Sequence, residues 1–473
     1  MIGRKKEIEE LNRLYESNKA ELVAIYGRRR VGKTFLVQET FKNKFLFKHS
    51  GLSLDENLDN NKLQLQLDNF YRSLLLYGAK VEKKPDNWFD AFFELEKFIL
   101  QKDDGNKQVI FIDELPWLDT PNSNFISAFE GFWNGFASAR DNLMLIVCGS
   151  ATSWIENNLI NNHGGLYGRV TYEIKLAPFN LCETKEFLKY KNVNYSDYDI
   201  VQAYMIFGGI PYYLNYIDST SSLPQNVDNL FFKHNAKLVL EFDRLFNSVF
   251  TFSEQAKKII KFLSTNSVGF TRKEIAKELG ISEGGRLSQF LNGLIASDFI
   301  IKYVPFGFSK REVYYKLIDP FCIFFIKFVL NKEDNENLWT QESSNQKITT
   351  WRGFAFENVC FNHIDQIKFA LGISGVSTTT SAFYNKEDGY QIDLMITRKD
   401  NIINLCEIKF YSQKFAMTKE YTLKINRRAN LIYEKISKKF SIMNTLISTY
   451  GLVKNEYYYS FTNIITIEDL FKF

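Results

Sequence analysis

Eight consecutive residues, Gly27-Arg28-Arg29-Arg30-Val31-Gly32-Lys33-Thr34, constrain this chain more than any other feature. Glycines at the first and sixth places let successive backbone N–H groups curl around an anion. The helical pattern that begins at Thr34 would aim its positive end at the same point. Lys33 then supplies a cation for the β- and γ-phosphates of a nucleotide, and the Thr34 hydroxyl suits a phosphate-bound Mg²⁺. Residues 22–26 just before the loop are all apolar or aromatic and read as a buried strand. A strand, a glycine turn and a helix in that order imply a parallel α/β sheet with its ligand at the carboxyl edge.

The surrounding pattern agrees. Residues 5–18 read as an amphipathic helix, with Ile8, Leu11 and Leu14 on one face. Further buried strands are expected at 44–48, 109–112, 143–148 and 170–176, with helical segments at 58–101 and 125–136 between them. Apolar strands alternating with helices are the signature of a parallel sheet covered on both faces. The strand at 109–112 ends in Asp113 and Glu114. An acid pair there suits Mg²⁺ coordination by Asp113 through water and polarisation of an attacking water by Glu114. Ser150, just past the 143–148 strand, is placed either to sense a terminal phosphate or to cap the next helix. Arg169, in Gly164-Gly165-Leu166-Tyr167-Gly168-Arg169, is a candidate for stabilising transition-state charge, its alternative being a surface arginine in a loop.

Composition narrows the class. The chain has 473 residues, 45% hydrophobic and 24% charged, as expected of a soluble globular protein of several domains. A net charge of +4 is too small to imply a nucleic-acid partner by itself. Five cysteines without a CxxC pair and only four histidines argue against zinc and for reduced thiols in a cytoplasmic setting. The first residues carry no apolar signal core, and the apolar stretch 321–330 is too short to span a bilayer and contains Lys327, so no membrane association is expected.

Beyond the first domain the character changes. Residues 180–250 are helical in pattern and broken at Gly208-Gly209-Ile210-Pro211. A helix over 271–280, a second over 286–297 and a hairpin over 299–317 follow the order of a helix-turn-helix with a wing. Arg272, Lys273, Lys277, Arg286, Lys302, Lys310 and Arg311 give this module positive charge, and Glu274, Glu278, Glu283 and Asp298 dilute it. The polar stretch 331–349 reads as a linker.

The last segment carries a second chemistry. Glu357 lies in the helical segment 351–361, Asp393 opens an apolar strand, and Glu407 and Lys409 lie two apart on the next strand. Residues two apart on a strand face the same side. A turn at 398–401 would make these strands a hairpin and bring Asp393 beside Glu407. Such carboxylates can hold Mg²⁺ or Mn²⁺, with Lys409 positioning a water or stabilising developing charge. Downstream, Lys414, Lys419, Lys424, Arg427, Arg428, Lys435, Lys438 and Lys439 suit either a phosphate backbone or a solvated helix face. Tyr411, Phe415 and Tyr421 read as core.

Two resemblances follow from these residues. Ile2-Gly3-Arg4-Lys5-Lys6-Glu7, the Gly27–Thr34 loop, Ile112-Asp113-Glu114-Leu115-Pro116-Trp117, Leu166-Tyr167-Gly168-Arg169 and Gly208-Gly209-Ile210-Pro211 resemble the archaeal-type AAA/STAND ATPases of prokaryotes. Glu357, Asp393 and Glu407-Ile408-Lys409 resemble the restriction-endonuclease-like PD-(D/E)XK fold, with Ile392 where that pattern has proline. The fold so implied is α/β: a P-loop NTPase parallel sheet with a helical lid, a winged helix and a C-terminal α/β nuclease-like domain. The corresponding segments are 1–179, 180–250, 251–330, the linker 331–349, and 350–473. The resemblance implies ATP and Mg²⁺ as cofactors, DNA as a partner and a possible homo-oligomer. It places Gly3 and Arg4 near the adenine and Pro211 in the lid. The implied nucleotide set is Gly3, Arg4, Gly27, Arg30, Gly32, Lys33, Thr34, Phe35, Ser150 and Pro211. The implied metal ligands are Thr34, Asp113, Asp393 and Glu407. The implied catalytic set is Asp113, Glu114, Arg169, Glu357, Asp393, Glu407 and Lys409.

Overall fold

The computed structural model describes residues 2–54, 61–250, 252–308, 311–330, 335–342, 345–385, 390–436 and 438–473. The chain divides into two compact units. The first is Met1–Ala177 with Ser248–Thr251, and the second is Pro178–Asn247 with Phe252–Phe473.

In the first unit, strands β1 (Glu21–Tyr26), β2 (Phe45–Ser50), β3 (Gln108–Asp113), β4 (Leu143–Gly149) and β5 (Tyr172–Lys175) form one sheet in the order β2-β3-β4-β1-β5. Every pairing is parallel. All residues of β1, β3 and β4 are buried, which is why these strands read as unbroken apolar runs rather than as alternations. The register sets Tyr26 against Gly149, Ile112 against Val147 and Ser50 against Asp113. The carboxyl ends of the central strands are therefore level, and the loop after Tyr26, the acids after Ile112 and Ser150 all emerge at one edge.

Helices Lys62–Leu76, Trp88–Gln101 and Phe125–Gly135 belong to this unit. Their aromatic residues explain part of the chain's wealth of phenylalanine. Phe70, Trp88, Phe92, Phe125 and Phe132 interlock, with Phe92 stacked on Phe132 at 5.1 Å between ring centroids and Trp88 edge-on to Phe125 at 5.0 Å. Such pairs add about 0.5–1.5 kcal/mol each beyond area burial.

The second unit begins with helices Leu181–Tyr190 and Asp197–Phe207. The first is closed by a reciprocal capping box of Asn180 and Glu183. The second ends at Gly208 in the left-handed region. A Cβ on the next residue, Gly209, would lie 2.1 Å from the Phe179 carbonyl oxygen, so only glycine fits there. Helices Arg272–Leu279 and Gly285–Ala296 then precede the hairpin of β7 (Ile300–Tyr303) and β8 (Tyr314–Leu317), which β6 (Phe270–Thr271) joins in an antiparallel sheet ordered β6-β8-β7. Lys310 lies outside the described residues.

The stretch expected to be a plain linker holds structure. Leu338–Glu342 is helical and Trp339 is buried. The Asp228 carboxylate accepts the N–H groups of Trp339 and Thr340 at 2.8 and 2.9 Å, capping that turn from elsewhere in the unit. Residues 331–334 and 343–344 lie outside the described residues. The helix Gln346–Asn362 begins within the same expected linker.

A mixed sheet follows, of β9 (Thr378–Asn385), β10 (Tyr390–Arg398), β11 (Ile402–Lys409), β12 (Ser441–Ser448) and β13 (Asn463–Thr466) in the order β13-β12-β11-β10-β9. β9, β10 and β11 are antiparallel neighbours, and β12 and β13 add in parallel. Helix Lys419–Lys435 lies between β11 and β12 in sequence. Each cysteine is a free thiol. Among the described residues no helix is long and apolar enough to cross a membrane.

Candidate functional site

The phosphate loop leaves β1 at Gly27, whose φ of 133° places it where side-chain-bearing residues rarely sit. A Cβ at Gly27 would also lie 2.5 Å from the Leu176 carbonyl oxygen. Gly32 caps helix Lys33–Thr40 with φ 93°. Arg30 holds φ 75°, a left-handed conformation that a large side-chain-bearing residue adopts only when its surroundings fix it. Lys33 is 7% exposed, and its ammonium donates to the Gly27 and Arg28 carbonyls, both at 2.9 Å. Burial lowers its pKa, and Cys148, Glu114 and Asp113 oppose that shift. A buried cation held by carbonyl dipoles, under a loop shaped for close backbone approach, fits a phosphate.

The Thr34 hydroxyl donates to Asp113 at 2.8 Å. This pair fits the Mg²⁺ that accompanies a nucleotide, since a hydroxyl and a carboxylate oxygen converge next to the phosphate loop. Glu114 follows with φ 48°, and its carboxylate accepts the Ser150 N–H at 3.1 Å and the Ser150 hydroxyl at 3.0 Å. Burial raises the Glu114 pKa, Lys33 lowers it and Asp113 raises it further. Ser150 therefore touches the acid expected to handle water.

The remaining nucleotide candidates scatter more widely. Arg4 is 6% exposed, and its guanidinium donates to the Val31 carbonyl at 3.2 Å and the Ala177 carbonyl at 2.7 Å. It thus braces the phosphate loop's own backbone, with Gly3 beside it in the left-handed region at φ 62°. Phe35 is 57% exposed and Arg169 is exposed. Arg28 is buried rather than solvated. Pro211 belongs to the second unit, at the first turn of helix Pro211–Leu214.

The four residues of the C-terminal motif come together. β10 and β11 pair with Leu394 opposite Cys406, so Asp393 and Glu407 are the next residues outward on each strand. The pairing of β10 with β9 shifts between Ile392 and Met395, a bulge that bends the strand at Asp393. Asp393 accepts the Ile408 N–H and, at 3.3 Å, the Gln391 side-chain amide. Its pKa is pushed up to about 6 by burial and by Glu407. Glu357 is pushed up to about 8 by burial and by Asp393.

Glu407 behaves differently. It is 4% exposed, and one oxygen meets the Lys409 ammonium at 2.6 Å. It also pairs with Arg428 and accepts the Tyr421 hydroxyl. Burial raises its pKa, but Lys409 and Arg428 outweigh burial and the net shift is downward. Glu407 is thus a carboxylate whose two oxygens are already taken by three donors. In this arrangement the acids do not fit a divalent ion, and among the described residues no group of three or more His, Cys, Asp or Glu is disposed to hold one.

Tyr421 and Arg428 are additions to the expected set. They lie seven apart on helix Lys419–Lys435, two turns that return to the same face. That spacing could have paired them with each other, but not with a strand residue. A third addition is Lys316 of β8, 6% exposed, whose charge is favoured by Glu357 and Asp393 against the cost of burial.

Comparison with known proteins shows what the N-terminal part of the chain is similar to. Residues 1–217 match the family described as an ATPase domain predominantly from Archaea. An uncharacterized protein of Methanocaldococcus jannaschii is 25% identical over 446 residues, 92% of this chain and 94% of that one. An uncharacterized ATP-binding protein of the same organism is 51% identical over 43 residues, 9% of this chain and 73% of its own. Among solved structures, the Walker-type ATPase of Pyrococcus abyssi aligns over 69% of this chain and 96% of its own, with 17% identity and a TM-score of 0.48. The ORC2 protein of Aeropyrum pernix aligns over 73% and 96%, with 13% identity and a TM-score of 0.40. Residues 1–217 are thus similar to an archaeal-type ATPase domain.

Proposed function

We propose that this protein hydrolyses ATP at the Gly27–Thr34 loop and uses its nucleotide state to govern the nuclease-like acidic site of the C-terminal segment, with DNA as its substrate. One observation carries the first half: a buried lysine, a threonine hydroxyl 2.8 Å from Asp113, and Glu114 beside them converge at one sheet edge. The similarity to an ATP-binding protein supports the same reading.

In this account the loop N–H groups and Lys33 bind and orient the β- and γ-phosphates. Thr34 and Asp113 would hold Mg²⁺, which would supply charge neutralisation on those phosphates. Glu114 accepts a proton from, or orients, the attacking water once its carboxylate turns from Ser150. Arg4 keeps the loop in shape by bridging two backbone carbonyls. Arg169 is the candidate for transition-state charge.

Glu357, Asp393, Glu407 and Lys409 are the proposed catalytic set of the second site, and the winged-helix reading of residues 251–330 makes that module the relay. A second reading has its own support. The neutralisation of Glu407 by Lys409, Arg428 and Tyr421 suits an ATP-controlled binding switch with an inactive nuclease-like fold. Cleavage of plasmid and single-stranded DNA with Mg²⁺ or Mn²⁺, with and without ATP, separates the two. Cutting that is lost in Glu407→Ala/Lys409→Ala and altered in Lys33→Ala supports the nuclease. No cutting under any condition, with ATP hydrolysis intact, supports the switch.

A further inference from the structure

Lys316 is the least expected residue near the acids. It belongs to the β7–β8 hairpin, more than forty residues before the first acid, Glu357. Lysine is rarely buried unless its charge is compensated, yet this side chain is 6% exposed. Its ammonium lies over the Phe361 ring, 4.7 Å from the centroid. It lines one small cavity together with Glu357 and Asp393, closed by Tyr303, Pro305 and Phe383. Its charge acts on both acids against the cost of burial.

The hairpin that carries Lys316 is itself fastened to the C-terminal sheet. The Phe306 N–H donates to the Ala382 carbonyl of β9 at 3.0 Å. The Phe306 ring packs against the cluster of Phe383, Ile392, Met395, Ile403, Leu405 and Ile432. The backbone bond and the ring contact hold the hairpin over the strand that bears Asp393.

Charge then decides what the cavity can accept. Three carboxyl groups, Glu357, Asp393 and Glu407, are matched by three cations, Lys316, Lys409 and Arg428, so even with every acid ionised no net negative charge is left. Divalent cations bind where carboxylates leave net negative charge. A resident ammonium repels them, most strongly where water is excluded.

We propose that the β7–β8 hairpin is a lock on the acidic site, with Lys316 inserted as an internal counter-ion that keeps a divalent cation from Glu357 and Asp393. The inference rests on reading those acids as a metal-binding set, and it accounts for their failure to fit a metal in this arrangement. Lifting the hairpin removes one positive charge and uncovers both acids at once. Whatever moves the hairpin therefore controls the site.

Mn²⁺ binding to the full-length, nucleotide-free protein, read by electron paramagnetic resonance of the free ion, tests the lock without requiring catalysis. Wild type is expected to match Asp393→Asn, showing no Mn²⁺ that depends on Asp393. Lys316→Met is expected to gain one Mn²⁺ bound at least tenfold more tightly than in wild type. Lys316→Met/Asp393→Asn should lose it, and Lys316→Arg, which keeps the charge, should not gain it. Equal Mn²⁺ binding by wild type and Lys316→Met overturns the lock. So does Mn²⁺ bound by wild type and lost in Asp393→Asn, a comparison that stands even if Lys316→Met fails to fold. If Lys316→Met gains the ion and still cuts no DNA, the lock survives and the nuclease reading falls.

Discussion

The two sites of this molecule each set a lysine among acids, and they do opposite things with it. At the phosphate loop, Lys33 donates to two carbonyls and lies near Asp113 and Glu114 without an ion pair to either among the described interactions. Its charge remains available to an incoming anion. At the C-terminal site, Lys409 is paired with Glu407 at 2.6 Å, Arg428 and Tyr421 complete that carboxylate's shell, and Lys316 faces the other two acids. The first site is preorganised for a ligand. The second has satisfied itself. Buried charge is costly until compensated, so a protein can leave the compensation to a ligand or supply it internally.

Four substitutions test that contrast. The largest effect is expected at the open site. Glu114→Gln should slow ATP turnover by about 1000-fold while ATP binding persists, since it removes the acid that handles water and leaves the phosphate cradle intact. Phosphate release and nucleotide binding measured side by side check this, and loss of binding as well would mean that Glu114 holds the loop rather than the water. Next comes the self-satisfied site. Arg428→Met should destabilise the second unit by about 3 kcal/mol in urea unfolding, because Glu407 stays buried with one cation fewer. A neutral result would show that the carboxylate is not closed by its protein partners.

Gly27→Ala should cost about 2 kcal/mol of stability, given its φ of 133° and the Leu176 oxygen 2.5 Å from the added carbon. Thermal unfolding of the variant measures that cost. The smallest effect concerns protons. Glu357 holds its proton up to about 8 when folded, against 4.5 ordinarily. The folded state therefore binds more protons than the unfolded state between those values, and stability falls as pH rises across that window. Glu357→Gln should flatten that slope by no more than about 1.4 kcal/mol per pH unit. An unchanged pH profile would place the Glu357 carboxyl in water.

The difference between the sites also decided what the sequence could disclose. The phosphate loop is local: strand, turn and helix are contiguous, and their glycines are required by backbone shape at Gly27 and Gly32. The strands at 22–26, 109–112 and 143–148 were legible because burial on both faces leaves only apolar side chains. At the C-terminal site the hairpin of β10 and β11 was legible for a similar reason, since strand periodicity fixes Glu407 and Lys409 on one side. What closes that site was hidden. Tyr421 reads as core by composition, Arg428 as one of many surface cations, and Lys316 as part of a distant module. Their meeting is a product of tertiary packing. The helix at Leu338–Glu342 was missed for the same cause, because its cap, Asp228, lies 111 residues from Trp339.

ATP hydrolysis at the Gly27–Thr34 loop is tested by inorganic phosphate released from Mg·ATP by wild type and by Lys33→Ala. Turnover by wild type and a loss of about 100-fold or more in the variant are expected, since the buried ammonium is the loop's charge for the β- and γ-phosphates. Equal rates in the two proteins, or no turnover by wild type, would contradict it.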